Sequence, residues 1–260
     1  MEPTNHATAQ ASSSTRQLFS DIADKWRNIP VETPEQIAKR DEAERDAAAK
    51  QETYRRQGWF TDFLRQAGDS AKEYRFNTYE AKSPYQKRCA DAVADWANGG
   101  KESLQTTRNL VLHGPVGTGK DHLAVAACRT LCLKHGVRTG FISVQDWFGR
   151  IRDAIDDNES ERQIIGEAAS YDLLVLSDPI PPFGNLTQHQ ATMFYRLVER
   201  RSSLRRAIIV TVNVATDLEA YERLGAPTWN RLIDDALMIH CNWESHRQPR
   251  QRITNVKVNQ

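Results

Sequence analysis

Five short, unbroken apolar runs punctuate the chain: Asn109 to Leu112, Gly140 to Val144, Leu173 to Leu176, Ala207 to Val212 and Ala236 to Ile239. Each is too short for a helix and is separated from the next by a helix-length stretch of mixed polarity. Strands buried on both faces of a parallel sheet produce this pattern. The predicted architecture is α/β, a doubly wound domain with a parallel five-stranded sheet, preceded by a helical N-terminal region. In that region Leu18, Phe19, Ile22 and Trp26 recur at helical spacing and predict a short amphipathic helix. A second helix opens with Thr33 as its cap, Pro34 in the first turn and Gln36 closing a capping box; Gly58 is read as its end. Its body, EQIAKRDEAERDAAAKQETYRR, has almost no apolar stripe, so it reads as an arm or partner-binding element and not as an independent core. A further helix spans Gln86 to Trp96. The expected divisions are a disordered polar tail over 1–14, a helical region over 15–74, the α/β domain over 75–248, and a basic tail over 249–260.

The most informative segment joins the first strand to its helix. Gly114, Pro115, Val116, Gly117, Thr118, Gly119, Lys120, Asp121 and His122 lie between Leu110-Val111-Leu112 and the apolar-periodic stretch beginning at Leu123. A glycine-rich turn feeding a helix N-terminus gathers backbone N–H groups and the helix dipole around a phosphate chain. Gly114 and Gly119 let the backbone approach closely, and Lys120 supplies the cation for the terminal phosphates. The segment therefore predicts a nucleotide-binding site. One position departs from the pattern: the lysine is normally followed by a Ser or Thr hydroxyl for Mg²⁺, and in this chain it is followed by Asp121.

A second departure faces the first. In P-loop proteins another strand ends in carboxylates, one directed to the metal and one to the attacking water. The run Asp172-Leu-Leu-Val-Leu ends instead in Ser177-Asp178. Ser177 stands at the metal-side position and Asp178 at the position of the water-activating acid. The ligands read as exchanged, so that Asp121 and Ser177 give the Mg²⁺ site one acid and one alcohol, with Asp178 beside them as a further metal-site residue; independent decay of both positions is the competing reading. Asn213, closing the run Ile208 to Val212, is placed to hold the attacking water or simply to make a turn. Arg231 and Arg247 are candidate cations for the same centre, or surface ion-pair partners.

Composition narrows the class. The chain has 260 residues, 39% hydrophobic and 27% charged, with a formal net charge of +1, so no global charge demands nucleic acid. Local arginine clusters at Arg196 to Arg206 and Arg247 to Lys257 suit solvated helix ends or phosphate contacts equally. No apolar segment long enough to span a bilayer and no signal-peptide pattern is visible, so a cytoplasmic location without membrane association is expected. The four cysteines, Cys89, Cys128, Cys132 and Cys241, lack the spacing of a zinc site or disulfide framework and read as core.

Taken together, GPVGTGKDHLA, DLLVLSDPI, VERRSS, TVN, LGAPTWNRL and CNWESHR, in this order, resemble the DnaC-type replicative helicase loaders of the AAA+ class, which are similar to the IstB transposition ATPases. The resemblance covers about Arg75 to Arg247. It implies that Asp178 activates water, that Asn213 is the sensor asparagine, that Arg231 is an arginine finger reaching a neighbouring subunit's ATP, and that Arg247 is the second sensor arginine. It implies ATP and Mg²⁺ as cofactors, self-association through the trans arginine, and a hexameric replicative helicase and single-stranded DNA as partners. It also places the strand of DNA near Trp147, Phe148, Arg150 and Arg152, with Arg201 adding a phosphate contact, although Trp147 and Phe148 also suit the core of a short helix. Two alternatives accompany it: a helper ATPase for a transposase, and a helicase adaptor that binds nucleotide without turnover.

Overall fold

The computed structural model describes residues 15, 17–21, 24–25, 32–156 and 160–247. The tail expected over 1–14, the basic tail over 249–260, and Ile22 and Trp26 of the first helix lie outside the described residues; Leu18 and Phe19 are helical and exposed. The chain separates into two compact units, divided between Glu52 and Thr53.

The first unit contains the opening half of helix α1 (Pro34–Ala67). The capping box forms as its residues require: the Gln36 N–H donates to Thr33 Oγ1 at 3.2 Å and the Thr33 N–H donates to Gln36 Oε1 at 2.9 Å. Apart from Asp41, the described side chains from Glu32 to Lys50 are exposed, which matches the absent apolar stripe.

α1 does not end at Gly58. A helical glycine costs only about 1 kcal/mol relative to alanine, and a few residues later Phe60 and Phe63 enter the core at 5% and 0% exposure. Their burial outweighs the local penalty, and the helix continues to Ala67. Residues 53–74 consequently share a core with the sheet, and the boundary drawn at 74/75 falls inside the second compact unit.

The sheet comprises β1 (Asn109–His113), β2 (Thr139–Ser143), β3 (Leu173–Ser177), β4 (Ala207–Val212) and β5 (Ala236–His240). All neighbours run parallel, in the order β2-β3-β4-β1-β5. Alternating residues feed two cores. Val111, Leu174, Leu176, Val210 and Val212 pack on one face with α5 (Val144–Asp156), α6 (Glu161–Ala169), α7 (Gln188–Ser203), α8 (Asp217–Leu224) and α9 (Ala226–Ile233). Leu110, Leu112, Leu173, Val175 and Ile209 pack on the other with α2 (Pro84–Asn98), α4 (Lys120–His135) and the end of α1; the short α3 (Gly100–Thr106) precedes β1. All four cysteines are free and buried, as their spacing suggested. The carboxyl ends of β1, β3 and β4 converge beside the P-loop, where an open parallel sheet offers its binding crevice.

Candidate functional site

The loop after β1 is held by its backbone. Gly119 adopts φ 86° as the residue preceding α4, and a Cβ there would lie 2.9 Å from the Tyr79 ring. Gly114 has φ 142° and its backbone approaches Cys241, whose carbonyl oxygen would lie 2.5 Å from an added Cβ. Both glycines singled out by the motif are thus required by conformation and by close packing. The loop is strapped from outside: Trp243 Nε1 donates to the Thr118 carbonyl at 2.8 Å, Tyr79 Oη donates to the same oxygen at 3.3 Å, and the His246 N–H donates to the Gly117 carbonyl at 2.8 Å.

Lys120 is 5% exposed and donates to the carbonyls of Gly114 and Pro115 at 2.9 and 2.7 Å. Burial lowers its pKa, while Cys241, Asp178 and Asp121 act in the opposite sense. The cleft over the loop encloses about 330 Å³. It is lined by the loop together with Tyr74, Tyr79, Asp178, Asn213, His246 and Arg247. His122 stacks on Tyr74 at 4.6 Å.

Asp121 and Ser177, the two departures, meet. The Ser177 hydroxyl donates to both Asp121 oxygens at 3.2 and 3.3 Å, and Thr211 Oγ1 donates to Asp121 Oδ1 at 2.7 Å. Register explains the encounter. Ser177 of β3 pairs with Thr211 of β4, so both hydroxyls stand side by side on the sheet face that α4 covers. Sequence reading missed Thr211, which it treated as one member of a strand run; the polar residue within Ile-Ile-Val-Thr-Val was the available signal.

Asp178 follows β3 with φ 47°, a conformation that few residues other than glycine, asparagine and aspartate adopt at low cost. Its N–H donates to the Thr211 carbonyl at 3.1 Å, and Asn213 Nδ2 donates to Asp178 Oδ1. Burial, reinforced by the nearby Asp121 charge, pushes the Asp178 carboxyl up to about 6, with Lys120 and Arg247 opposing. The linkage has a definite sign: a folded pKa above the unfolded value makes the ionised form unfavourable in the native state. The resulting penalty is absent below pH 3.8, grows between 3.8 and about 6, and is complete above that. Asp178→Asn, which keeps the acceptor oxygen for Asn213, is therefore expected to stabilise the nucleotide-free, metal-free protein at pH 8 by about 1–2 kcal/mol and to leave it unchanged near pH 3.5. Thermal melts of both proteins across this range check it; a stability difference independent of pH contradicts the assignment.

The remaining sites divide. Arg247 is exposed at the cleft rim, and Arg231 lies outside the cleft on α9, paired with Glu199 at 2.8 Å. The expectations for DNA contact need correction at three positions. Trp147 and Phe148 are 5% and 7% exposed and belong to the core beneath α5, so neither ring is available for base stacking. Arg201 is fully buried and donates to the carbonyls of Ala168, Ala169, Tyr171, Asp172 and Ala207 at 2.6 to 3.3 Å. Its charge is consumed inside the fold, where it gathers the end of α6 with the starts of β3 and β4. Arg150 and Arg152 are on the surface of α5, Arg150 paired with Glu167 at 2.9 Å and Arg152 beside Asp153.

A glycine-rich phosphate loop between the first strand and its helix, at the carboxyl edge of a parallel sheet ordered in this way, defines a nucleotide-binding protein of the AAA+ P-loop class. Over residues 50–253 the sequence matches the model of the IstB-like ATP binding proteins, and the chain belongs to that family. It is 29% identical over 143 residues to the replicative helicase loader DnaC of Escherichia coli K12, covering 54% of this chain and 56% of that protein. It is 26% identical over 157 residues to the insertion sequence IS21 putative ATP-binding protein of Pseudomonas aeruginosa, covering 59% and 57%. The chain thus spans about half the length of the curated relatives it matches. Among solved structures, that of the DnaC helicase loader superposes with a TM-score of 0.60 at 19% identity, covering 66% of this chain and 99% of that one, a likeness of fold. Among the described residues, no helix is long and apolar enough to cross a membrane.

Proposed function

We propose that this protein is an ATP-dependent loader of the hexameric replicative helicase onto single-stranded DNA, working as an AAA+ oligomer. The observation that carries this reading is the similarity to a helicase loader, 29% identical over 143 residues. Features within each unit support it. The nucleotide cleft lies at the sheet edge, Arg231 is displayed away from its own cleft, and the helical arm of the first unit offers polar surface for a partner.

Within the cleft each residue has a defined task. Lys120 and the loop N–H groups bind the phosphate chain, Asp178 accepts a proton from the attacking water, and Asn213 orients that carboxylate. Arg247 adds positive charge at the rim, and Arg231 enters a neighbouring subunit's cleft once its pairing with Glu199 opens. The donor set fits Mg²⁺, which retains most of its waters and takes one or two carboxylates from protein: Asp121 and Ser177 would hold it beside Asp178, and the ion would neutralise phosphate charge. Hydrolysis or nucleotide release then frees the loader.

The similarity to an insertion-sequence ATP-binding protein favours a second reading, a helper ATPase that serves a transposase. Affinity capture with the purified full chain distinguishes them. ATP-dependent retention of a replicative helicase supports the loader, and retention of an IS21-type transposase with no helicase binding rejects it. An adaptor without turnover is recognised separately, as helicase binding with no ATPase activity above a Lys120→Ala control. On α5, Arg150 and Arg152 can meet at most two phosphates. Replacing both with alanine is expected to reduce the salt slope of single-strand affinity by about 1.4; an unchanged slope removes this helix from the DNA path.

A further inference from the structure

Asp121 brings a longer arm and a second oxygen to a place where the loop pattern has a short hydroxyl. A carboxylate's terminal torsion is broad, so it needs an external fixture to present one defined direction. Thr211 provides such a fixture. It is 0% exposed, and the sheet sets its position through pairing with Leu112 of β1 and Ser177 of β3. Its hydroxyl has one proton to give and two oxygens within reach: Asp121 Oδ1 at 2.7 Å and Ser177 Oγ at 3.4 Å. The shorter, charge-assisted contact takes the proton. Asp121 Oδ1 thereby holds the short Thr211 bond, while the single Ser177 proton is shared between Oδ1 at 3.2 Å and Oδ2 at 3.3 Å, which leaves Oδ2 the less committed oxygen.

We propose that Thr211 is a positioning residue: it holds Asp121 so that the less committed oxygen faces the cation of a bound nucleotide, and this makes an aspartate workable where the loop pattern carries a hydroxyl. The inference rests on the metal reading above and extends it. The Thr211 carbonyl also accepts the Asp178 N–H, so one residue of β4 locates both acids, one through its side chain and the other through its backbone.

The test is epistatic. ATP affinity is measured by calorimetry with magnesium and with EDTA in the wild type, Thr211→Val and Thr211→Ser, and again for Thr211→Val in an Asp121→Thr background. Valine preserves the branched shape without the hydroxyl, and melting temperatures verify folding. Thr211→Val is expected to reduce the magnesium advantage in affinity by about tenfold, the worth of a hydrogen bond to a charged group, leave the EDTA value unchanged, and be rescued by serine. Next to Asp121→Thr the same change is expected to do nothing, because no carboxylate is left to orient. Equal losses in both backgrounds, which mark a merely structural role, overturn the inference, as does an undiminished magnesium advantage in Thr211→Val. A wild type with no magnesium advantage overturns the metal reading itself, and this inference with it.

Discussion

Arg201→Ala is expected to lower the free energy of unfolding by about 4 kcal/mol, a loss that few single substitutions reach. The guanidinium donates to five carbonyls, from the end of α6, the turn before β3 and the start of β4, and is wholly enclosed. Burial lowers its pKa to about 9, aided by Arg206 and opposed by Asp172, so it stays charged at neutral pH. Truncation removes a donor from each of those oxygens and opens a large void between α6 and the sheet, two penalties that add. Arg201→Lys keeps the charge but offers a compact ammonium where a planar fork is needed, and is expected to cost about 2 kcal/mol. Urea unfolding monitored by circular dichroism measures both. A loss below about 1 kcal/mol for alanine, or a selective fall in single-strand affinity for lysine at unchanged stability, returns Arg201 to the DNA-binding role that its burial denies it.

The second large effect concerns charge at the proposed metal position. Counting only positions 121 and 177, the wild type presents one carboxylate and one hydroxyl. Asp121→Thr leaves two hydroxyls, and Ser177→Asp sets two carboxylates together where 3.2 Å now separates donor and acceptor. Like charges so close cannot both ionise freely. The doubly exchanged protein restores one of each. Each single substitution is expected to weaken magnesium-dependent ATP affinity by roughly 10- to 100-fold, and the pair to recover most of it. Additive losses in the double variant show that the two positions serve different purposes.

How far these features could be read in advance depends on the distance over which each was encoded. The five strands are local, since continuous apolar runs bounded by helical segments have few other readings, and the structure places all five within a residue or so of the expected ends. The phosphate loop is also local, its glycines, lysine and flanking elements being contiguous. Gly58 misled because the force that carries α1 past it comes from Phe60 and Phe63 packing under the sheet, a tertiary event. Arg201 misled for a related reason. An arginine in the last turn of a helix usually faces water, and only the convergence of α6, β3 and β4 creates an acceptor cage around it. Thr211 needed strand order: β3 and β4 are adjacent by topology, and no local pattern aligns Ser177 with Thr211. Asp121 and Ser177 were legible as a pair because each broke a known local pattern in a complementary way.

The proposed function requires the cleft over the loop to hold ATP through Lys120, with a cation beside Asp121. Calorimetric titration of ATP into the purified chain, with magnesium present and compared with Lys120→Ala, tests it most directly. Saturable uptake by the wild type, weakened by chelation and lost in the folded lysine variant, is the predicted result. No uptake by the wild type, or equal uptake by both proteins, contradicts it.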